Sequence, residues 1–422
     1  LFILSRIGIH TLGIEPDSTI VVTHWQHADL HLLASDPFGT LWNLHAQPPL
    51  WNGILAIAVS LVGPDGDAVT LAIHAFNIAL SAAAGLMVLS MFRTLRFPPI
   101  ASAVMAMVAV CSPNVVYFEQ LAFYPHFTFF LVTLFVWLLL GVQREGPLWR
   151  VLAAFGVLAA LSWTWAIFHP AFVGLFAVGL ALWWGGWKKP ARPVYAMAAF
   201  AFCVACLPTI KNFATYGVPS ASTWIGLNLA QTVPGGQTGA LLRCDFLTAN
   251  RAAIAAPLPP GALHPVLTET SKGPGVPNMN HVGMVEISRQ CLGMTKEVML
   301  RDPIGWAGGR LSALAGSHQL PPSNYDRDPV GWDTLMAPFE RAWEQGGAAG
   351  RILMSVWYVV LCWGAFKSIR TNPPFYLSLL LFIGYFTLAS HFLNGGEQAR
   401  MRYTIEPIYF FLVMTMLASA VQ

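Results

Sequence analysis

Pro16–Leu50 reads PDSTIVVTHWQHADLHLLASDPFGTLWNLHAQPPL. Four histidines (His24, His27, His31, His45), three aspartates (Asp17, Asp29, Asp36) and a Gln-Pro-Pro-Leu turn crowd into this one segment. It lies between the mostly apolar Leu1–Ile14 and a long series of apolar runs. A polar stretch so placed reads as the floor of a site on the outer face of a membrane, with the rest of the chain supplying walls, an anion clamp and a cover.

The surroundings support that reading. Apolar residues make up 55% of the chain and charged residues 10%, against about a quarter charged in a soluble domain. Lipid is therefore the solvent for most of the chain. A net charge of +3 with no basic run gives no footing for nucleic acid. The chain opens on Leu1, so a cytoplasmic start and part of a first span are expected before it.

Working outward, Pro48–Gly63 is apolar but short. At about 1.5 Å per residue it reaches about 24 Å, less than the roughly 30 Å hydrocarbon core, so it reads as a helix lying along the surface. Spans are expected at Val69–Phe92, Pro98–Cys111, Leu121–Gly141, Trp149–Phe168, Pro170–Trp187, Val194–Leu207 (closed by Pro208), Ile352–Phe366, Phe375–Phe392 and Tyr403–Val421. With the incomplete first span this makes about ten. Alternate loops carry Arg93/Arg96, Arg144/Arg150, Lys188/Lys189/Arg192 and Lys367/Arg370, which places them in the cytoplasm and Pro16–Leu50 outside.

The expected organisation is an all-α polytopic bundle in three parts. Residues 1–210 form a transmembrane module with a first outer loop at 15–63, residues 211–350 a polar extracytoplasmic region, and residues 351–422 the last spans. The polar region is rich in Gly, Pro and Asn, with helices expected around Met284–Arg301 and Val330–Glu344. If it is extracytoplasmic, a Cys244–Cys291 disulfide is expected there. Cys203 and Cys206 sit in an apolar run and read as buried structural thiols.

The orientation sorts ionisable residues onto one face: Glu119 and Gln120 in the turn after Phe118, His169 at the next outer turn, Lys211 and Asn212 before the polar region, and Glu397, Arg400, Arg402 and Glu406 near the last span. Ionisable groups at membrane depth are costly and usually functional. Each also has a bland reading. His169 before a proline can satisfy a helix end, Arg400 and Arg402 can anchor to lipid phosphates, and Trp183, Trp184 and Trp187 suit an interfacial belt. His24, His27 and His31 would share a face if helical and could hold a divalent metal. With no HExxH pattern, interfacial hydrogen bonding is the stronger expectation.

The segment HAQPPL (His45–Leu50), with Asp17 roughly thirty residues before its prolines, and Glu119 between the third and fourth spans, resembles the membrane glycosyltransferases of the C-type (GT-C) fold. The resemblance is to the branch of protein O-mannosyltransferases and lipid A aminoarabinose transferases. It implies an inverting transferase in the bacterial inner membrane that moves a sugar from a polyprenyl-phosphate donor to a glycan, lipid or protein acceptor on the periplasmic or exterior side. It implies Asp17 as base, with Asp29 as the substitute, and Glu119 as a second acid. His45, Gln47 and His169 would line the substrate, and Lys211, Arg400 and Arg402 would bind the phosphate. The family's acid is often followed by a second one; here Ser18 follows Asp17. Rival readings are a glycan ligase or polymerase, a non-catalytic subunit docking a protein through 211–350, and a transporter. No internal repeat supports the transporter.

Overall fold

A long apolar run can satisfy its backbone in lipid only as a helix or a closed barrel, and this chain takes helices throughout. The computed structural model describes residues 1–142, 147–187, 192–233, 241, 244–259, 261, 263–273, 275–316, 331–332, 363–364, 366, 373–393 and 398–421. Within these, the side chains at 182–187, 312–316, 373–374, 393, 398–400, 414 and 417–421 are not described. The expected Val330–Glu344 helix and Ile352–Phe366 span lie almost wholly outside these residues, as does Glu397. Among the described residues the only sheet is a hairpin, Ser271–Lys272 against Val276–Pro277.

After α1 (Phe2–Thr11), the Pro16–Leu50 segment breaks into short helices, α2 (Ser18–Thr23), α3 (Leu30–Ser35) and α4 (Pro37–Asn43). Asp17, Asp29 and Asp36 each cap the helix that follows them, the usual use of Asp at a helix start. The α5 helix (Leu50–Val62) has 13 residues, and no helix of that length spans a bilayer. It buries Trp51, Asn52, Leu55 and Val59 along one face and exposes Ile57 and Leu61.

Among the described residues three helices are long and apolar enough to cross a membrane: α6 (Gly66–Thr94), α12 (Arg192–Tyr216) and Phe375–Phe392 within the helix Pro373–Leu393. A bent pair, α7 (Pro99–Val110) and α8 (Pro113–Gln120), which meet at 49°, passes the same test of length and composition when taken together. The helices α9 (Tyr124–Leu140), α10 (Leu148–Thr164) and α11 (Pro170–Trp187) are apolar too, and the last described helix is Gln398–Val421. Together they make an all-α multi-pass membrane protein.

Three expectations are corrected here. SPNVVYFEQ (112–120), the stretch between the expected spans Pro98–Cys111 and Leu121–Gly141, is not merely a connection: Ser112 and Pro113 start α8 after a break at Cys111, since Pro is tolerated in a first helical turn. And α12 does not stop at Pro208 but runs through it to Tyr216. Neighbouring helices and local adjustment absorb a proline inside a membrane helix. On the same helix Cys203 is exposed and Cys206 half-buried; a thiol is apolar enough to face lipid rather than the interior.

Side-chain bonds fix which ends lie together. Trp137 Nε1, late in α9, donates to Ser90 Oγ, late in α6, at 3.1 Å. Arg150 stacks on that tryptophan at 4.7 Å. Trp163 Nε1 donates to Val204 O at 2.6 Å, which joins the end of α10 to the middle of α12. The Ser90–Trp137–Arg150 contacts gather Arg93, Arg96 and Arg150 at one end of the bundle. The starts of α6 and α9 and the end of α8 gather at the other.

The end of the bundle that carries the Pro16–Leu50 segment holds a second cluster of buried residues. Trp224, Leu227, Phe246, Met279 and Met284 pack with Ala46 and Trp25 of the outer segment. The helices involved are α13 (Ile225–Ala230), α14 (Phe246–Ala255) and, after the short α15 (Pro265–Thr268), α16 (Gly283–Arg301), the last close to the expected Met284–Arg301. Cys244 and Cys291 are disulfide-bonded across it. A Cβ on Gly226 would meet Ser288 O at 1.8 Å, so only glycine lets α13 cross α16 this closely.

Candidate active site

A cavity of about 690 Å³ opens between α1, α6 and the end of α8. The bend at Cys111 steers α8 inward, so Glu119 and Gln120 end inside the bundle, 0% and 4% exposed, and not in a surface turn. A buried carboxylate needs a counter-charge. Arg6 supplies it: Nε donates to Oε1 at 2.8 Å and Nη2 to Oε2 at 2.6 Å. The same Nη2 donates to Val110 O at 2.8 Å, the last carbonyl of α7. Ser81 Oγ donates to Oε2 of Glu119 and contacts His126 Nε2 at 3.0 Å, and His126 Nδ1 reaches Tyr403 OH at 2.8 Å. Asn77 and His74 hold the Glu119 carbonyl at 3.1 and 3.3 Å. One acid therefore ties together α1, α6, α8, α9 and the last helix. Sequence reasoning passed over Arg6 as an exception in an apolar stretch; the need of a lone intramembrane acid for a cation was the signal that could have found it.

Pro16 and Ser18, on either side of Asp17, line this cavity, as do Glu15, Asp67 and His74. Asp17 Oδ1 accepts from Thr19 N at 2.8 Å and Thr19 Oγ1 at 2.6 Å. Asp29 lies on another side of the outer segment. Its Oδ1 caps α3, and its Oδ2 accepts from Gly273 N at 2.8 Å, at the tip of the Ser271–Pro277 hairpin.

That hairpin docks on the turn between α2 and α3. Lys272 is buried and donates through Nζ to the carbonyls of His24 and His27, which lie at and just beyond the end of α2. Burial pulls its pKa down to about 7, against the opposing pull of Asp29. His27 is buried; Nδ1 donates to Val21 O at 3.1 Å and Nε2 accepts from Trp51 Nε1 at 3.1 Å. Burial, with Lys272 nearby, depresses its pKa to about 3. The three histidines do not share a helix face. α2 ends at Thr23 and α3 begins at Leu30, so His24 and His27 sit in the intervening turn, and His31 is exposed. Among the described residues no three His, Cys, Asp or Glu side chains are grouped to hold a metal.

His45, Gln47 and Lys211 meet elsewhere, at the seam between the outer segment and the second cluster. His45 Nε2 donates to Asn280 O at 2.8 Å and Nδ1 accepts from Thr223 Oγ1 at 2.6 Å. Burial holds its pKa down to about 3. Lys211 Nζ donates to Leu44 O and lies 5.9 Å from the Tyr216 ring centroid. Gln47 Oε1 is buried with no partner among the described residues. His169 is exposed and caps α11, with Nδ1 accepting from Ala171 N at 3.1 Å. Arg402 Nε lies 3.6 Å from Glu406 Oε1, which also accepts from Asn114. Arg402 and Glu406 edge a different, mainly apolar cavity of about 250 Å³. The Arg400 side chain lies outside the described residues. The structure thus brings Glu119 and the neighbours of Asp17 to one cavity, Arg402 to another, and His45, Gln47 and Lys211 to the seam.

The chain matches no protein-family model and no curated protein. It is similar to solved structures of ArnT from Cupriavidus metallidurans. Against the apo state, identity is 15% over 98% of this chain and 76% of that one, with a TM-score of 0.34. Against the form bound to undecaprenyl phosphate, identity is 13% over 97% and 77%, with a TM-score of 0.31. At that level the site and its chemistry rest on the residues described above.

Proposed function

We propose that the protein is an integral-membrane glycosyltransferase of the GT-C type, acting at the end of the bundle opposite its basic fringe. The observation that carries the reading is the 690 Å³ cavity that joins the flanks of Asp17 to the buried Glu119, beneath a segment bearing the HAQPPL turn. Asp17 uses Oδ1 for capping, which leaves Oδ2 for the acceptor. The carboxylate takes the proton of the acceptor hydroxyl. The acceptor oxygen bonds to the anomeric carbon, the bond from that carbon to the phosphate oxygen breaks, and the polyprenyl phosphate leaves with the electron pair. A single displacement inverts the centre. Glu119, already matched by Arg6, supplies geometry rather than free charge. Arg402, at the rim of an apolar cavity, suits a lipid phosphate, since guanidinium pairs bidentately with its oxygens. Arg400 and Lys211 are further candidates for that clamp.

The Cys244–Cys291 bond supports an oxidising compartment for the outer face, in keeping with a periplasmic or exterior site in a bacterial inner membrane. The region 211–350 then serves as a cover over the first outer loop. The test is Asp17→Asn in purified protein supplied with undecaprenyl-phosphate glycosides: transfer should be lost, and normal turnover would hand the role to Asp29 or remove it. A second reading, a non-catalytic membrane subunit, is favoured by the commitment of Glu119 and Lys211 to internal bonds. A partner that co-purifies over the first outer loop, with no turnover by the isolated chain, would select it.

A further inference from the structure

Inside the large cavity two buried polar groups have nothing to bond to. Thr70, near the start of α6, is 2% exposed and Gln120, at the end of α8, is 4% exposed. Among the described residues, Thr70 Oγ1 and Gln120 Oε1 have no hydrogen-bond partner. Both residues line the same cavity. A helical threonine normally returns its hydroxyl to the carbonyl one turn back, as Thr23, Thr133 and Thr164 do in this chain. Thr70 does not. A buried polar atom left unmet is costly and calls for an explanation. Two such atoms from different helices, lining one cavity, point to a ligand that supplies both bonds.

The chemistry of the walls narrows that ligand. Arg6 is the one arginine or lysine on the described lining, and its guanidinium is taken up by Glu119 and Val110 O. The lining also holds His10 and His74 and the exposed carboxylates of Glu15 and Asp67, with Glu15 Oε1 3.9 Å from His10 Nδ1. An anion is disfavoured among these walls, which suit the ring of the sugar and not the phosphate bonded to its anomeric carbon. The groups left without a partner among the described residues, the Thr70 hydroxyl and the Gln120 amide oxygen, both accept hydrogen bonds and lie beside the Asp67 carboxylate, which together ask for a donor-rich partner. Phe2, Ile3, Ile7 and Leu71 supply apolar wall. A neutral sugar ring, with hydroxyls on its rim and an apolar face, answers each demand.

We propose that Thr70 and Gln120 form a glycosyl subsite that binds the hydroxyls of an uncharged sugar and sets which sugar is accepted. This rests on the glycosyltransferase reading above and adds the residues that choose the ring.

The test measures binding of undecaprenyl phosphate, and of the same lipid bearing glucose, mannose or arabinose, to the protein in nanodiscs by native mass spectrometry. Wild type is compared with Thr70→Val and Gln120→Met. At least one glycoside should bind more tightly than the bare lipid. Each variant should cut that preference roughly three- to tenfold, the worth of one neutral hydrogen bond, and leave bare-lipid affinity unchanged. Thr70→Val should also melt at or above the wild-type temperature, because it removes a hydroxyl with no partner. A melting point well below wild type would mean that the hydroxyl is bonded internally and would overturn the proposal. So would a sugar preference unaltered in both variants, in which case only water meets these groups. Bare-lipid binding with no preference for any glycoside removes the subsite and leaves the lipid-phosphate reading standing. Failure of all four lipids to bind wild type removes both.

Discussion

Replacing Arg6 by Gln should loosen the end of the bundle where α1, α6 and α8 meet. Arg6 is 8% and Glu119 0% exposed at the side chain, so the substitution strands a carboxylate in the interior. Two charge-assisted hydrogen bonds are lost, at 2.8 and 2.6 Å, each worth about 1.5–3 kcal/mol. That agrees with the roughly 3–5 kcal/mol found when one partner of a buried ion pair is removed. No residue of α1 is buried, so Arg6 is its main tether, and protease sensitivity in α1 should rise together with a fall in melting temperature. The intrinsic fluorescence of the 16 tryptophans reports the melt in detergent. The double variant Arg6→Met/Glu119→Gln removes both charges and should recover most of the loss. If Arg6→Gln melts with the wild type, or if the double variant costs at least the sum of the two singles, the pair is not the clasp described here.

Asp17→Asn and Asp17→Ala separate charge from capping. Asn caps as well as Asp, whereas Ala costs about 1 kcal/mol, so both should lose transfer by about 10²-fold or more and only Ala should lower the melting point. Lys272, held at about pKa 7 by burial, has a folded value below its unfolded one. The docked hairpin should therefore gain stability as pH rises from about 7 to about 10, and Lys272→Met should flatten that slope in hydrogen exchange. His27 and His45, both near pKa 3, bind their protons more readily unfolded, so stability of the outer face should fall as pH drops from about 6.5 toward 3. Reducing Cys244–Cys291, which closes a separation of 47 residues, should cost the second cluster about 4 kcal/mol, read as faster proteolysis of 225–301 in reductant.

The apolar helices were legible because each is a long run of one character. The shortness of Pro48–Gly63 likewise foretold a helix unable to span. Pro208 and Pro113 misled for opposite reasons. One sits inside a helix whose neighbours tolerate it, and the other starts a helix where a turn was expected. Glu119 was rightly singled out as a carboxylate that needs a reason. Its reason lay 113 positions away at Arg6, and local sequence carries no mark of such a pairing. Lys272 was missed in the same way. In a Gly-Pro stretch it looks like any solvated lysine, and only the fold shows it beneath His24 and His27. Thr70 is equally silent in sequence, since a threonine with a partner and one without are spelled alike.

The seam at His45 has a consequence for how the protein is made. Its ring is bonded to Thr223 and to the carbonyl of Asn280, 178 and 235 positions later in the chain. At roughly 5–20 residues per second of synthesis, the outer segment must wait on the order of ten to fifty seconds for its last contacts. Through that interval His24–Leu50 stands with Trp25 and Ala46 uncovered. Chains released before residue 280 should be met by quality-control proteases at this segment, however well their early spans have inserted.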